Sequence, residues 1–445
     1  MLFSSLTFLL IFLPVIWLLY ELTPVRQRNL LLLLASFLFY AWGDLFSLPL
    51  LFFLIVSVYF LAPLLVDGGR VLTFFVFSVP VFFLVCMKFL PLVFSANVTL
   101  PLHVPLGVSF YTFQAVSYLA DVRRKAVLPQ KSFLRLSLYI SLFPQILAGP
   151  IVPYASLNKE FSERKSDRAR GLERFIFGLS KKLLLADPFG ILFGEYASVE
   201  DAGCLLALLC LLCFSFQIYF DFSGYSDMAI GIALLFGFHY PENFRYPYTA
   251  TSVKDFWSRW HISLTGFFRN YIYIPLGGNR GSIFKTVRNT VIVWALTGLW
   301  HGVTLNFILW GLYWCTLLLT EKLVIRKLFA NMIHHVPSFL CHVLTLILIA
   351  FGWILFAFDT PAALGAFLRE LFSTSISAGT LYEWLHLAPL LLVAVLFCTP
   401  LPNRRFESIK KRHPAAPLAV CLPLLLLCIS ALADASYQPF LYLQF

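Results

Sequence analysis

Two histidines carry the chemistry this sequence offers. His301 lies in WALTGLWHGVTLNFILWGLYW, residues 294–314, where the other twenty side chains are uncharged and mostly apolar. An ionisable group inside lipid-grade sequence usually faces a cavity or a pathway. Withdrawn from water, its ring is expected as the neutral imidazole, the form a general base needs in order to accept a proton. Trp300 makes one flank bulky and Gly302 leaves the other open. His261 sits in PENFRYPYTATSVKDFWSRWHISLTGFFRNYIYIPLGGNRGSIFKTVRN, residues 241–289, among aromatic and basic side chains. Taken alone, it reads equally well as a core histidine satisfied by a neighbouring helix.

Rival chemistries fit less well. Structural zinc takes four protein ligands and catalytic zinc three, and no nearby Cys, Asp or Glu completes a set with His261 and His301, so no metal is expected. The CLLC at 210–213 has C-x-x-C spacing but no second pair. DFSGYSDMAIG, residues 221–231, lacks the second glycine of a nucleophile elbow and has no strand before it. Asp221, Ser223, Ser226 and Asp227 read instead as polar groups bonding between helices, with Arg245, Arg259 or Arg269 as partners for the carboxylates.

These residues need elements to position them. Thr251 or Ser252 can cap a helix with Asp255 in its first turn. Residues 253–270 then run as one helix, ended by Pro275 and Gly277–Gly278. That helix puts Trp257, His261 and Thr265 on one face and pairs Asp255 with Arg259. Its aromatic and basic faces suit a membrane surface or a fold back into it.

The wider chain is built for lipid. Of 445 residues 60% are hydrophobic and 12% charged, against about 25% charged in soluble domains. Apolar stretches at 8–20, 30–41, 48–66, 71–94, 205–220, 290–319, 343–358, 386–401 and 415–432 read as spans. With the less uniform 132–151, 175–193 and 223–238, they imply about 10–12 transmembrane helices. The fold class expected is an all-α polytopic membrane protein. The first apolar stretch lacks a preceding basic residue and a cleavage site, so it reads as an uncleaved helix. Arg26 and Arg28 follow it, which places the N-terminus outside. The net charge of +11 clusters at 121–131, 158–182, 241–289, 321–327 and 403–413. Between spans, such clusters mean cytoplasmic loops and anionic headgroups rather than nucleic acid. Seven of the nine cysteines lie in or beside apolar runs and act as small hydrophobes. No repeat, linker or long hydrophilic stretch divides the chain, so residues 1–445 read as a single domain. PLGVSFYTFQAVSYLADV and SLFPQILAGPIVPY carry Pro, Gly and polar residues inside apolar sequence. Such backbone survives at membrane depth only under cover of protein or beside a water-filled cavity, so both stretches are expected to line an interior space.

FDFSGYSDMAIGIALLFGF, NFRYPYTATSVKDFWSRWHISLTGFFRNYIYIPLGGNRG and ALTGLWHG resemble the membrane-bound O-acyltransferase family. So do GVSFYTFQAVSYLADVRR, FPQILAGPIVPY and the final PFLYLQF, and the likeness is to its branch of bacterial alginate O-acetyltransferases and related glycan acetylases. The resemblance implies re-entrant and interfacial helices around a central tunnel, with a catalytic core of about residues 101–320. It implies His301 as the catalytic base and His261 as the upstream family position. Trp257, Arg259, Trp260, Arg269, Asn270 and Trp300 become candidates for substrate binding. Basic side chains such as Arg259, Arg269 and Arg280 suit coenzyme A phosphates, and Asn270, Arg269 or Trp300 could donate to a developing oxyanion. The implied donor is acetyl-CoA or another acyl thioester on the cytoplasmic side, with no bound cofactor. The implied location is the bacterial inner membrane, and the implied partner an extracytoplasmic acetyltransferase. The reading from another class is a non-enzymatic channel or transporter whose polar core conducts a substrate.

Overall fold

The computed structural model describes residues 1–94, 103–199, 201–325, 336–358, 360–375 and 378–434. The PFLYLQF motif at 439–445 lies outside them. Among the described residues every regular element is helical. Seven helices of the described residues are long and apolar enough to cross a bilayer: Leu48–Leu65, Arg70–Phe89, Gly203–Leu235, Leu305–Ile325, Ser338–Ala357, Gly379–Phe397 and Ala416–Ala433. The apolar Phe8–Leu22 is shorter. Several stretches divide differently from the expectation. Residues 205–220 and 223–235 belong to one helix of 33 residues, Gly203–Leu235, because the polar DFSGYSD finds partners and does not break it. Residues 290–319 form two helices, Ile283–His301 and Leu305–Thr320, with the extended Gly302 between them.

The described chain forms two compact units, Met1–Leu179 with Tyr225–Glu242, and Ser180–Gly224 with Asn243–Phe445. In the first, Phe3, Phe8, Phe12, Phe39 and Phe143 interlock ring against ring. The polar stretches at 105–122 and 141–154 are buried here under protein. Tyr139 ties them together, its hydroxyl donating to the Val152 carbonyl at 2.9 Å and lying 3.1 Å from the Ser117 hydroxyl. Arg174 donates to Asp227 at 2.6 Å and also holds Glu242. Arg174 is thus a partner of Asp227 outside the expected set of Arg245, Arg259 and Arg269.

The second unit has a tryptophan-rich core. Trp260, Trp310, Trp314 and Trp353 are buried together with Phe256 and Phe307. The buried Lys182 ammonium lies 2.7 Å from Asp221 and 2.7 Å from Asp187. Lys182 is thus a partner of Asp221 outside the expected arginines. It is the last residue of the 158–182 basic cluster, where that cluster runs into the less uniform stretch 175–193. The Ile283–His301 and Leu305–Thr320 helices pack at backbone contact. A side chain at Gly311 would meet the Trp294 carbonyl at 2.7 Å, and one at Gly298 the Phe307 carbonyl at 2.7 Å.

Candidate active site

His301 is the last residue of the Ile283–His301 helix, begun by Ser282, whose hydroxyl accepts from the Lys285 N–H at 3.3 Å. It is 5% exposed. Its ring is surrounded by aromatic rings: Trp300 at 4.5 Å, Trp310 at 4.8 Å, Phe356 at 5.1 Å and Phe307 at 5.8 Å between centroids. Two of the rings come from the following helix, brought in by the close approach at Gly298 and Gly311. Gly302 is needed for the same reason, because a side chain there would meet the Phe307 ring at 2.6 Å.

His261 is built differently. Ser252 caps the Val253–Arg259 helix by accepting from the Asp255 N–H at 3.1 Å, and the Glu321 carboxylate accepts from the Lys254 N–H at 2.9 Å. Asp255 and Arg259 pair at 2.8 Å, as their spacing predicts. The expected single helix over 253–270 is interrupted, however. Trp260 is extended and His261 is left-handed with φ 44. A second short helix, Ile262–Phe268, and a π-helical turn, Arg269–Tyr273, follow. Trp257, His261 and Thr265 therefore do not form one helical stripe. Asn243 stabilises the interruption: its backbone carbonyl accepts from the Ile262 N–H at 2.9 Å. Its side-chain oxygen accepts from the Ser263 N–H at 3.1 Å and hydroxyl at 2.9 Å. The same oxygen lies 3.2 Å from Nδ1 of His261. An oxygen only accepts, so Nδ1 carries the proton and Nε2 presents the lone pair. Burial pushes this imidazole down to about 3, which keeps it neutral and makes it a weak base.

The other candidates separate. Trp300 is half-buried, 4.5 Å from the ring of His301 and 6.4 Å from that of His261, so it neighbours both. Trp260 packs on Trp353 at 4.7 Å and Phe244 at 5.0 Å within the core. Arg259 is committed to Asp255, and Asn270 is exposed. Trp257 and Arg269 line a mostly apolar cavity of about 180 Å³, along with Leu264, Phe268, Trp294 and Thr297. Arg269 is exposed. Thr297 lies one turn before His301 and Trp257 one turn before His261 in sequence, so the cavity adjoins the elements that carry both histidines.

The family model for membrane-bound O-acyltransferases matches residues 33–356, most of the chain. The chain belongs to that family. Among similar proteins in this family, "Probable alginate O-acetylase AlgI" of Pseudomonas aeruginosa is 37% identical, covering 80% of this chain and 72% of its own length. The protein of the same description from Pseudomonas putida is 32% identical, with both chains covered end to end. The "Peptidoglycan O-acetyltransferase" of Helicobacter pylori is 35% identical, covering 70% of this chain and 68% of its own.

An acyltransferase must bind a carbonyl as well as hold a base. Sequence reasoning passed over three residues near the histidines. Asn243, which fixes the His261 tautomer, stands at the start of the aromatic-basic loop and looks like a turn residue. Asn306 and Trp310 follow His301 in apolar sequence, where an isolated amide and an indole read as packing. Asn306 is 2% exposed and Trp310 2% exposed. Their only sequence signal is i, i+4 spacing on one helix face.

Proposed function

We propose that this membrane acyltransferase moves acetyl groups from a cytoplasmic thioester to the hydroxyls of a cell-surface or exported polysaccharide, alginate-like or peptidoglycan. His301 acts as the general base. The placement of that imidazole carries the reading: it is withdrawn from bulk water, ringed by Trp300, Phe307, Trp310 and Phe356, and carried on the same helix as Thr297 of the adjoining cavity. His301 takes the proton of the acceptor hydroxyl as its oxygen attacks the acyl carbon. The collapsing intermediate expels the thiolate, which recovers that proton. His261, a weak base with its Nε2 lone pair outward from Asn243, suits orientation of a hydroxyl better than removal of its proton. Acetyl-CoA is the favoured donor, and aromatic crowding around His301 supports a short acyl group. The names of the curated relatives support the acetyl group and the glycan acceptor. The bacterial inner membrane and an extracytoplasmic acetyltransferase that completes delivery to the polymer belong to the same reading.

His301→Ala, expressed at the normal level, is expected to lower cell-surface glycan O-acetylation by about a hundredfold or more, the effect of losing a general base. Alkali-released acetate measures it. Unchanged acetylation would contradict the assignment and favour a conducting channel, which has no use for a base.

A further inference from the structure

Buried indole N–H groups and carboxamides almost always have hydrogen-bond partners, because an unpaired buried donor has given up its bond to water with nothing in exchange. On the Leu305–Thr320 helix this rule is broken at three positions one turn apart, Asn306, Trp310 and Trp314. Both polar atoms of the Asn306 side chain are buried without a partner among the described residues, and so is the indole nitrogen of Trp310. The two residues are one turn apart, a spacing that places Cβ atoms about 5–6 Å from each other. Trp310 is the residue whose ring stands 4.8 Å from that of His301, nearly perpendicular to it. Phe307, between them in sequence, lies at 5.8 Å with its ring nearly parallel to the imidazole. The helix therefore turns toward the proposed base a face with two polar groups that its own packing leaves unsatisfied. A guest that brings a hydrogen-bond acceptor would satisfy them.

We infer that the Trp310 indole N–H and the Asn306 carboxamide N–H bind the oxygen of the acyl carbonyl and stabilise its negative charge during transfer. The inference rests on the acyl-transfer reading of His301. As the acceptor oxygen bonds to the acyl carbon, its proton passes to His301 and the carbonyl π pair moves onto oxygen. The two donors face that oxyanion. Re-formation of the C=O bond then breaks the carbon–sulfur bond, and the thiolate leaves with the proton from His301. Donors fixed in a water-poor site need no reorganisation as the charge appears, and losing one such donor costs about 10²–10³ in kcat. Arg269 and Asn270, the other candidate donors, are exposed.

The test compares Trp310→Phe, Asn306→Leu, Trp314→Phe and His301→Ala in the full-length protein at equal expression. Surface acetate release is read in cells, and thiol release from acetyl-coenzyme A is read with purified protein in lipid nanodiscs. Trp314 supplies the control: it is fully buried in the same aromatic cluster and its indole nitrogen likewise has no partner, but it is one turn further along. The expected result is a loss of about a hundredfold for Trp310→Phe and for Asn306→Leu, in kcat with KM changed by less than about threefold. Trp314→Phe stays active, and melting temperatures stay within a few degrees of the parent. A variant that does not accumulate leaves the decision to its partner. Near-full acetate release by a folded Trp310→Phe or Asn306→Leu, while His301→Ala is inactive, overturns the donor assignment alone. An active His301→Ala overturns the acyl-transfer reading and this inference with it. Equal losses in all three aromatic and amide variants, matched by falls in melting temperature, assign Asn306 and Trp310 to packing and overturn the inference.

Discussion

At His261 burial pushes the imidazole down to about 3, whereas the unfolded chain holds an ordinary histidine near about 6.5. Between those values the unfolded state binds a proton that the folded state refuses. The folded pKa is the lower of the two, so stability is fully present above about 6.5 and is lost as pH falls toward about 3. Thermal unfolding is expected at a lower temperature at pH 4.5 than at pH 7.5, with His261→Gln showing a smaller difference. An equal pH dependence in parent and variant would show that another group is responsible. His301 has a different setting, ring against ring with Trp300, Phe307, Trp310 and Phe356, which suits proton exchange with a substrate. The identities of both histidines were legible in the sequence as ionisable groups in unsuitable surroundings. The tautomer of His261 was not, because it depends on Asn243, eighteen residues earlier.

At the scale of elements, the decisive feature is the contact between the Ile283–His301 and Leu305–Thr320 helices. Hydropathy read residues 290–319 as a single span, since the turn at Gly302–Thr304 contains nothing polar enough to interrupt the apolar signal. The glycines that allow the contact were visible but had no stated partner. A side chain at Gly311 would lie 2.7 Å from the Trp294 carbonyl, so Gly311→Leu must separate the helices and withdraw Phe307 and Trp310 from His301. Overpacking of this kind costs about 1–3 kcal/mol. Gly311→Leu is expected to lower the melting temperature and to cut transfer at least tenfold, measured in one purified sample. Full activity would mean that the aromatic enclosure of His301 is dispensable. The 253–270 segment teaches the complementary point. Its cap and its Asp255–Arg259 pair follow local rules and were legible. The break at His261 follows from hydrogen bonds to Asn243, and helical periodicity carries no trace of them.

At the scale of the whole molecule, composition settles the solvent: a chain 60% hydrophobic and 12% charged folds in a bilayer. Inside that solvent, charges are retained where partners meet them. Lys182 bridges Asp187 and Asp221, and Arg174 bridges Asp227 and Glu242. All but the Lys182–Asp187 pairing join residues dozens of positions apart, so the sequence showed the carboxylates and hid which cations answer them. What the fold does with acyl groups reduces to one proton transfer. His301→Gln keeps the bulk and removes the base, and the direct measurement is thiol release from saturating acetyl-coenzyme A by purified His301→Gln beside the parent, with donor binding measured in the same samples. The account predicts unchanged donor binding and a turnover lower by about a hundredfold or more. Turnover within a few-fold of the parent, at equal donor binding, would contradict it.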